Sequence, residues 1–165
     1  MTVYHETFEV QSDRRPTFDD VTEQVREILG RSGIRNGNVL VYTGHTTCSV
    51  QIQEFSDGKT YWGTELIMQD LVNVLTKIVP TCTAEGQYMH PCPKHIELAA
   101  RDRNELPSWS LNTDAHLRSV IMGRSVTLPV IDGELQLGDF GCIYFGDWDQ
   151  VRARKRKVIV QIMGE

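Results

Sequence analysis

The stretch that decides the fold runs from Asn112 to Phe145, NTDAHLRSVIMGRSVTLPVIDGELQLGDFGCIYF. Its polar opening suits a helix start and sets His116 in the first turn. Gly123 closes that helix, and Arg124–Ile131 reads as a strand. Asp132-Gly133 is a favoured two-residue hairpin turn, because both positions tolerate positive φ, so Glu134–Leu137 returns as the partner strand. A second break over Gly138–Gly141 leads into the apolar run Cys142–Phe145.

Working outward towards the N-terminus, Thr2–Val10 alternates in β-type residues and reads as a strand. A helix is expected over Phe18–Arg31, capped by Thr17 or Asp19, with Val21, Val25, Ile28 and Leu29 as its apolar stripe and Gly33 as its stop. Asn36-Gly37 is a turn, and Asn38–Thr43 a short apolar strand. The polar turn Gly44-His45-Thr46-Thr47 leads to a second strand, Cys48–Phe55. There Val50 and Ile52 share a face that strict alternation extends to Glu54. Such a carboxylate lies either at a solvated strand end or in a cleft.

Thr64–Val79 has Ile67, Leu71, Val74, Leu75 and Ile78 at helical spacing, and Pro80 ends it. Asp70 falls at the edge of that stripe, as a solvated flank or a cleft residue. Thr81–Leu111 reads as a long loop with a short helix over Ile96–Asp102. Loops this long in a compact domain are usually functional or mobile. Helices interspersed with hairpin-type strands imply α+β or mixed α/β architecture in one domain, residues 1–165.

Composition narrows the function classes. Hydrophobic content of 40% and charged content of 24% are ordinary for a soluble globular chain. A net charge of −5 argues against nucleic acid as a partner. No apolar run approaches the roughly 18 residues of a membrane helix, and MTVYHETFEV lacks the features of a secretory signal. Cys48, Cys82, Cys92 and Cys142 are scattered, which suits free thiols in the cytoplasm.

Chemistry is expected at the histidines. His45 follows a strand, His90 lies in the loop, and His116 lies near a helix start, where the dipole disfavours a protonated imidazole. A neutral imidazole is the state that ligates metal, and the free N–H groups beside it suit an anion. The run from His90 to His95 (His-Pro-Cys-Pro-Lys-His) looks like a zinc half-site, without a second half at matching spacing. Arg152-Ala153-Arg154-Lys155-Arg156-Lys157 is a basic cluster. If it enters a strand continuous with Val158, Val160 and Ile162, then Arg152, Arg154 and Arg156 share a face and can clamp phosphate. A solvated edge strand protected by charge explains the same run.

Over residues 38–165 the sequence resembles the YjbQ-like family, the secondary thiamine-phosphate synthase enzymes. The matching pieces are His45-Thr46-Thr47-x-Ser49, Glu54, Asp70, Tyr88-x-His90 and Asn112-x-Asp114-Ala115-His116-Leu117-x-Ser119. They continue with Gly123-x-Ser125, Pro129-Val130, Gly133, Leu135-Gln136-x-Gly138, the late arginines and Gly164-Glu165. The resemblance implies an α+β domain whose mixed sheet curls towards a barrel or sandwich under two to three main helices. It implies a homotrimer with a polar cleft between subunits, a small phosphorylated molecule as partner, and neither nucleic acid nor membrane.

Carried over by position, His45, His90 and His116 are the metal-ligand candidates, and Glu54, Asp70 and Asp114 the catalytic carboxylates. Thr46, Thr47 and Ser49 join Arg152 and Arg154 as cofactor- or phosphate-binding candidates. The occupant implied is a divalent metal, zinc or magnesium, or otherwise a phosphate or sulfate ion. The activity implied is weak joining of a pyrimidine pyrophosphate to a thiazole phosphate, with release of pyrophosphate. Hydrolysis by a metal-activated water is less favoured. The competing class is a non-catalytic trimeric scaffold or small-anion-binding protein with a degenerate site. Three departures bear on the choice: Gln53-Glu54-Phe55 replaces Asn-Glu-Asn, Gly138-Asp139-Phe140-Gly141 replaces Gly-Thr-Trp-Gln, and the interval from His90 to Asn112 is longer than in the family.

Overall fold

In the C-terminal strand, Arg156, Val158, Val160 and Ile162 are buried while Lys157 and Ile159 between them, and Lys155 before them, are exposed. That period of two lays one side of the strand on the core. The computed structural model describes all 165 residues and builds two antiparallel sheets around such strands. The chain runs β1 (Thr2–Gln11), β2 (Thr17–Asp20), α1 (Thr22–Ser32), β3 (Gly37–Tyr42), β4 (Cys48–Glu54) and α2 (Leu66–Ile78). It continues with α3 (Pro93–Arg103), a 3₁₀ turn (Pro107–Ser110), α4 (Thr113–Met122), β5 (Ser125–Ile131), β6 (Glu134–Leu135), β7 (Gly141–Asp147) and β8 (Lys155–Gly164).

The larger sheet has the order β1-β8-β3-β5-β6 and the smaller β2-β7-β4. The larger one curls as a half-barrel, and the chain is a single α+β domain with four α-helices. Every strand pair is antiparallel where a mixed sheet was expected. Both sheets feed one core: Val39 and Val41 of β3, Leu128 and Val130 of β5, Val158, Val160 and Ile162 of β8, and Val50, Ile143 and Phe145 of the smaller sheet. Helix α1 closes that core with Val25, Ile28 and Leu29, and Gly33 ends it at φ 69°.

The deciding stretch folds as read. Gly123 ends α4 at φ 85°, and Asp132 and Gly133 turn the hairpin at φ 53° and 87°. The returning strand is shorter than Glu134–Leu137, with only Glu134 and Leu135 laddered. The helix expected from Phe18 instead begins at Thr22. Thr17–Asp20 pairs with Tyr144–Asp147 of β7, and the Phe18 ring meets Trp148 edge-on at 5.0 Å. Neither Thr17 nor Asp19 caps α1; Asp20 accepts from the Thr22 N–H at 2.9 Å and its hydroxyl at 2.5 Å. Tertiary pairing overrides helical periodicity there. The short helix expected at Ile96–Asp102 extends to Pro93–Arg103, with proline in its first turn. No helix is long and apolar enough to cross a membrane.

Candidate functional site

Three neighbouring parts of the fold form a cleft of about 320 Å³. The irregular segment with α3 and the 3₁₀ turn supplies His90, His95, Arg103, Glu105, Trp109 and Ser110. The start of α4 supplies Asn112 and His116, and the approach to β8 supplies Arg152 and Arg154. His90 is tied down because the Thr113 hydroxyl donates to its carbonyl. Its ring centre lies 4.6 Å from His95 and 6.2 Å from His116.

Burial holds His90 and His116 below the usual imidazole range. The neighbouring His95 reinforces this at His90, as His90 does at His116. A hydrogen bond to the Thr46 backbone and the charge of Asp149 oppose the shift at His116. Both rings are therefore favoured as neutral imidazoles, able to donate through one nitrogen and accept through the other.

Behind them lies a buried charge network. Arg156 holds Asp147 through two contacts of 2.6 and 3.1 Å, and reaches the Thr47 hydroxyl at 3.0 Å. Asp149 accepts from Arg154 at 2.5 Å and from Asn112 at 3.4 Å. Arg152 donates to Glu105 at 2.8 Å and covers the Trp109 ring at 4.3 Å. The Nε atoms of Arg152 and Arg154 and the hydroxyl of Ser110 are buried without a hydrogen-bond partner. Carboxylates thus hold the terminal nitrogens of both guanidiniums while the Nε edges stay free.

The structure brings together only some of the residues singled out in sequence. His90, His116, Arg152 and Arg154 share the cleft. His45 does not line it; its Nε2 accepts the Lys157 N–H at 3.0 Å. No three His, Cys, Asp or Glu side chains are grouped closely enough to hold a metal ion, so one chain does not assemble the three-histidine constellation. Zinc would need its nitrogens converging at about 2.0 Å from one point.

Glu54 and Asp70 are exposed and absent from the cleft wall. Asp114 is buried against Arg118 at 3.3 Å, and Arg118 also caps the end of α2 through the Val79 carbonyl at 2.8 Å. Burial raises the Asp114 carboxyl against the pull of Arg118. That pair pins α4 to α2 and makes no contact with the cleft. Thr47 and Ser49 are spent internally, Thr47 on Arg156 and Ser49 on the Trp148 indole at 2.9 Å; Thr46 is exposed. Arg156 lies in β8 but is locked to Asp147, so only Arg152 and Arg154 of the three arginines face the cleft.

His95 entered the sequence reading only as the end of the run that looks like a zinc half-site, and Arg103, Glu105, Trp109 and Ser110 escaped it as site residues. The available signal was the length of the Thr81–Leu111 segment, which carries them all.

Fold and cleft together define a class: an antiparallel α+β domain with a cleft walled by imidazoles and guanidiniums. The chain belongs to the UPF0047 protein YjbQ-like family, whose model matches residues 6–165. It is 31% identical over 160 residues to a UPF0047 protein of Methanothermobacter thermautotrophicus, covering 97% of this chain and 93% of that one. A UPF0047 protein of Archaeoglobus fulgidus is also 31% identical, over 154 residues, covering 93% of this chain and 97% of that one. Among solved structures, a hypothetical protein of Aeropyrum pernix K1 superposes with TM-score 0.74 at 28% identity, covering 98% of this chain and 99% of that one. A YbjQ-like protein of Sulfolobus solfataricus P2 gives TM-score 0.76 at 25% identity, covering 99% of both chains.

Proposed function

We propose that the cleft binds a phosphorylated small molecule and stabilises a departing pyrophosphate, as in the weak thiamine-phosphate synthase reaction that the family resemblance implies. One observation carries the reading: three buried donors, Arg152 Nε, Arg154 Nε and the Ser110 hydroxyl, line or back the cleft and lack partners. Burying a donor unmet costs about 1–3 kcal/mol, so three at one cleft are accounted for by a ligand rich in acceptor oxygens. Asp149, fully buried and fixed on the far end of the Arg154 guanidinium, preorganises its Nε donor.

In that reaction the carbon–oxygen bond to pyrophosphate breaks and its electron pair leaves on oxygen. The thiazole nitrogen then supplies the pair for the new carbon–nitrogen bond. No proton need be removed at the reacting carbon, so the cleft's work is charge stabilisation: arginines fix the leaving phosphates and neutral His90 and His116 donate to them. A divalent metal, zinc or magnesium, is the alternative occupant, supported by three imidazoles on one wall. The spacing of those groups within one chain counts against it.

Self-association as a homotrimer is supported by exposed apolar side chains on the two helices flanking the smaller core. These are Val74 and Ile78 of α2 and Leu117, Val120 and Ile121 of α4. Unpaired cysteines support a cytoplasmic setting. The scaffold alternative is supported by the departures from the family pattern, because Phe55 and Phe140 now meet each other, ring centres 6.3 Å apart.

The test is pyrophosphate release from a pyrimidine pyrophosphate and a thiazole phosphate, compared between wild type and His116→Ala. Turnover lost in the variant, with its phosphate affinity falling below that of wild type, supports the catalytic reading. Phosphate binding without turnover in wild type favours the small-anion-binding alternative.

A further inference from the structure

Glu105 stands inside the cleft as an anion the protein supplies to itself. One carboxylate oxygen accepts from Arg152 at 2.8 Å, and the other faces the Arg103 Nε at 3.5 Å. The hydrogen bond from Arg152 holds its carboxyl below the usual range, so it is ionised wherever the protein is folded near neutrality. Its tether is short. Asn104 takes the left-handed conformation at φ 52° to end α3, and the Glu105 N–H returns to the Ala99 carbonyl at 3.2 Å.

The other cleft carboxylate differs in kind. Asp149 is fully buried and accepts from Arg154, Asn112 and the Val151 N–H, so it has no route out. Glu105 keeps 18% exposure and has the two arginines as its side-chain partners. A rotation of one flexible side chain would carry it to solvent and leave Arg103 and the terminal nitrogens of Arg152 unpaired.

We propose that Glu105 is a displaceable internal anion occupying a second, outer acid position between Arg103 and Arg152, and thereby sets which phosphorylated ligands the cleft accepts. This rests on the reading of the cleft as a phosphate site. A single phosphate fills the inner position, formed by the free Nε edges of Arg152 and Arg154 with Ser110, and leaves Glu105 in place. A ligand with a second anionic group beyond the first must turn Glu105 out, and the affinity it shows is reduced by the cost of that displacement. The pyrophosphate ester of the proposed reaction thus binds with Glu105 turned out, at a cost that a monophosphate does not bear.

The experiment is calorimetric titration of wild type and Glu105→Gln with orthophosphate and with pyrophosphate. Glutamine keeps the length and removes the charge. Pyrophosphate should bind the variant about tenfold or more tightly than wild type, with orthophosphate changed by no more than about twofold. Adding Arg103→Gln to that variant should erase the gain. Equal or weaker pyrophosphate binding by Glu105→Gln, with orthophosphate still bound, overturns the proposal and makes Glu105 a positioning partner of Arg152; the phosphate reading survives. Failure of both anions to bind either protein overturns the phosphate reading itself, and this inference with it.

Discussion

Arg156 and Asp147 face each other across β7 and β8 as a two-contact ion pair, 3% and 0% exposed, directly behind the cleft. The pair is not anchored by β-ladder register, since Asp147 pairs with Thr17 and Cys48 and Arg156 with Val10. Side chains alone join the two sheets at this point. Removing one partner leaves a charge stranded in the interior, which typically costs about 3–5 kcal/mol. Arg156→Ala should therefore lower stability by about that amount in urea denaturation. Arg154→Ala should cost less, because the buried Asp149 keeps Arg156 at 3.6 Å and hydrogen bonds from Asn112 and the Val151 N–H. Equal losses in the two variants would contradict the division of labour between them.

Ser110 offers a test with opposite signs. Its hydroxyl is buried without a partner, so Ser110→Ala should leave stability unchanged or raise it by about 1 kcal/mol. The same change should weaken phosphate binding by about 1 kcal/mol or more, because the ligand loses a donor. Thermal unfolding and titration calorimetry read the two effects separately. A variant that is destabilised, or that binds as well as wild type, would show that Ser110 does not face a ligand.

The histidines predict a pH dependence of stability. His90 and His116 have folded-state values depressed below the ordinary 6.5 by burial. Between those depressed values and 6.5 the unfolded chain binds more protons than the folded one, so stability rises with pH through that window. The contribution is fully present above the unfolded value and is lost as pH falls through the folded one. The unfolding midpoint should drop on acidification from about pH 7 to 5, and His116→Gln should flatten that slope. An unchanged slope in the variant would show that His116 bears no charging cost.

The fold was legible where local signals coincide. Gly123 and Asp132-Gly133 each demand a backbone that few residues adopt, so helix α4, strand β5 and the hairpin follow from position alone. At Phe18 the local signal misleads, because Thr17–Asp20 is claimed by a strand more than a hundred residues away in sequence. The site shows the same split. Arg152 and Arg154 declared themselves by charge and His116 by its place at a helix start. His95, Glu105 and Ser110 reach the cleft only because α3 and its following turn fold back over it. His45 resembles a site residue in the linear pattern, yet its partner, the Lys157 N–H, is chosen by tertiary packing; Asp114 takes Arg118 one helical turn on, an i,i+4 pair that spacing alone offers.

The proposed self-association should depend on the apolar flank of α4. Val120 is 78% exposed and Ile121 54%, positions where a charge is harmless in a monomer. Val120→Glu together with Ile121→Lys should reduce the mass measured by light scattering to that of one chain. Retention of a multimeric wild-type mass would contradict this placement, and a wild type with the mass of one chain would contradict self-association itself.

Orthophosphate titration of wild type beside Arg154→Ala probes the oxyanion site formed by the free Nε edges of Arg152 and Arg154. Saturable binding by wild type, lost by about tenfold or more in a variant that stays folded, is the predicted result. Equal binding by the two proteins, or none by wild type, would contradict it.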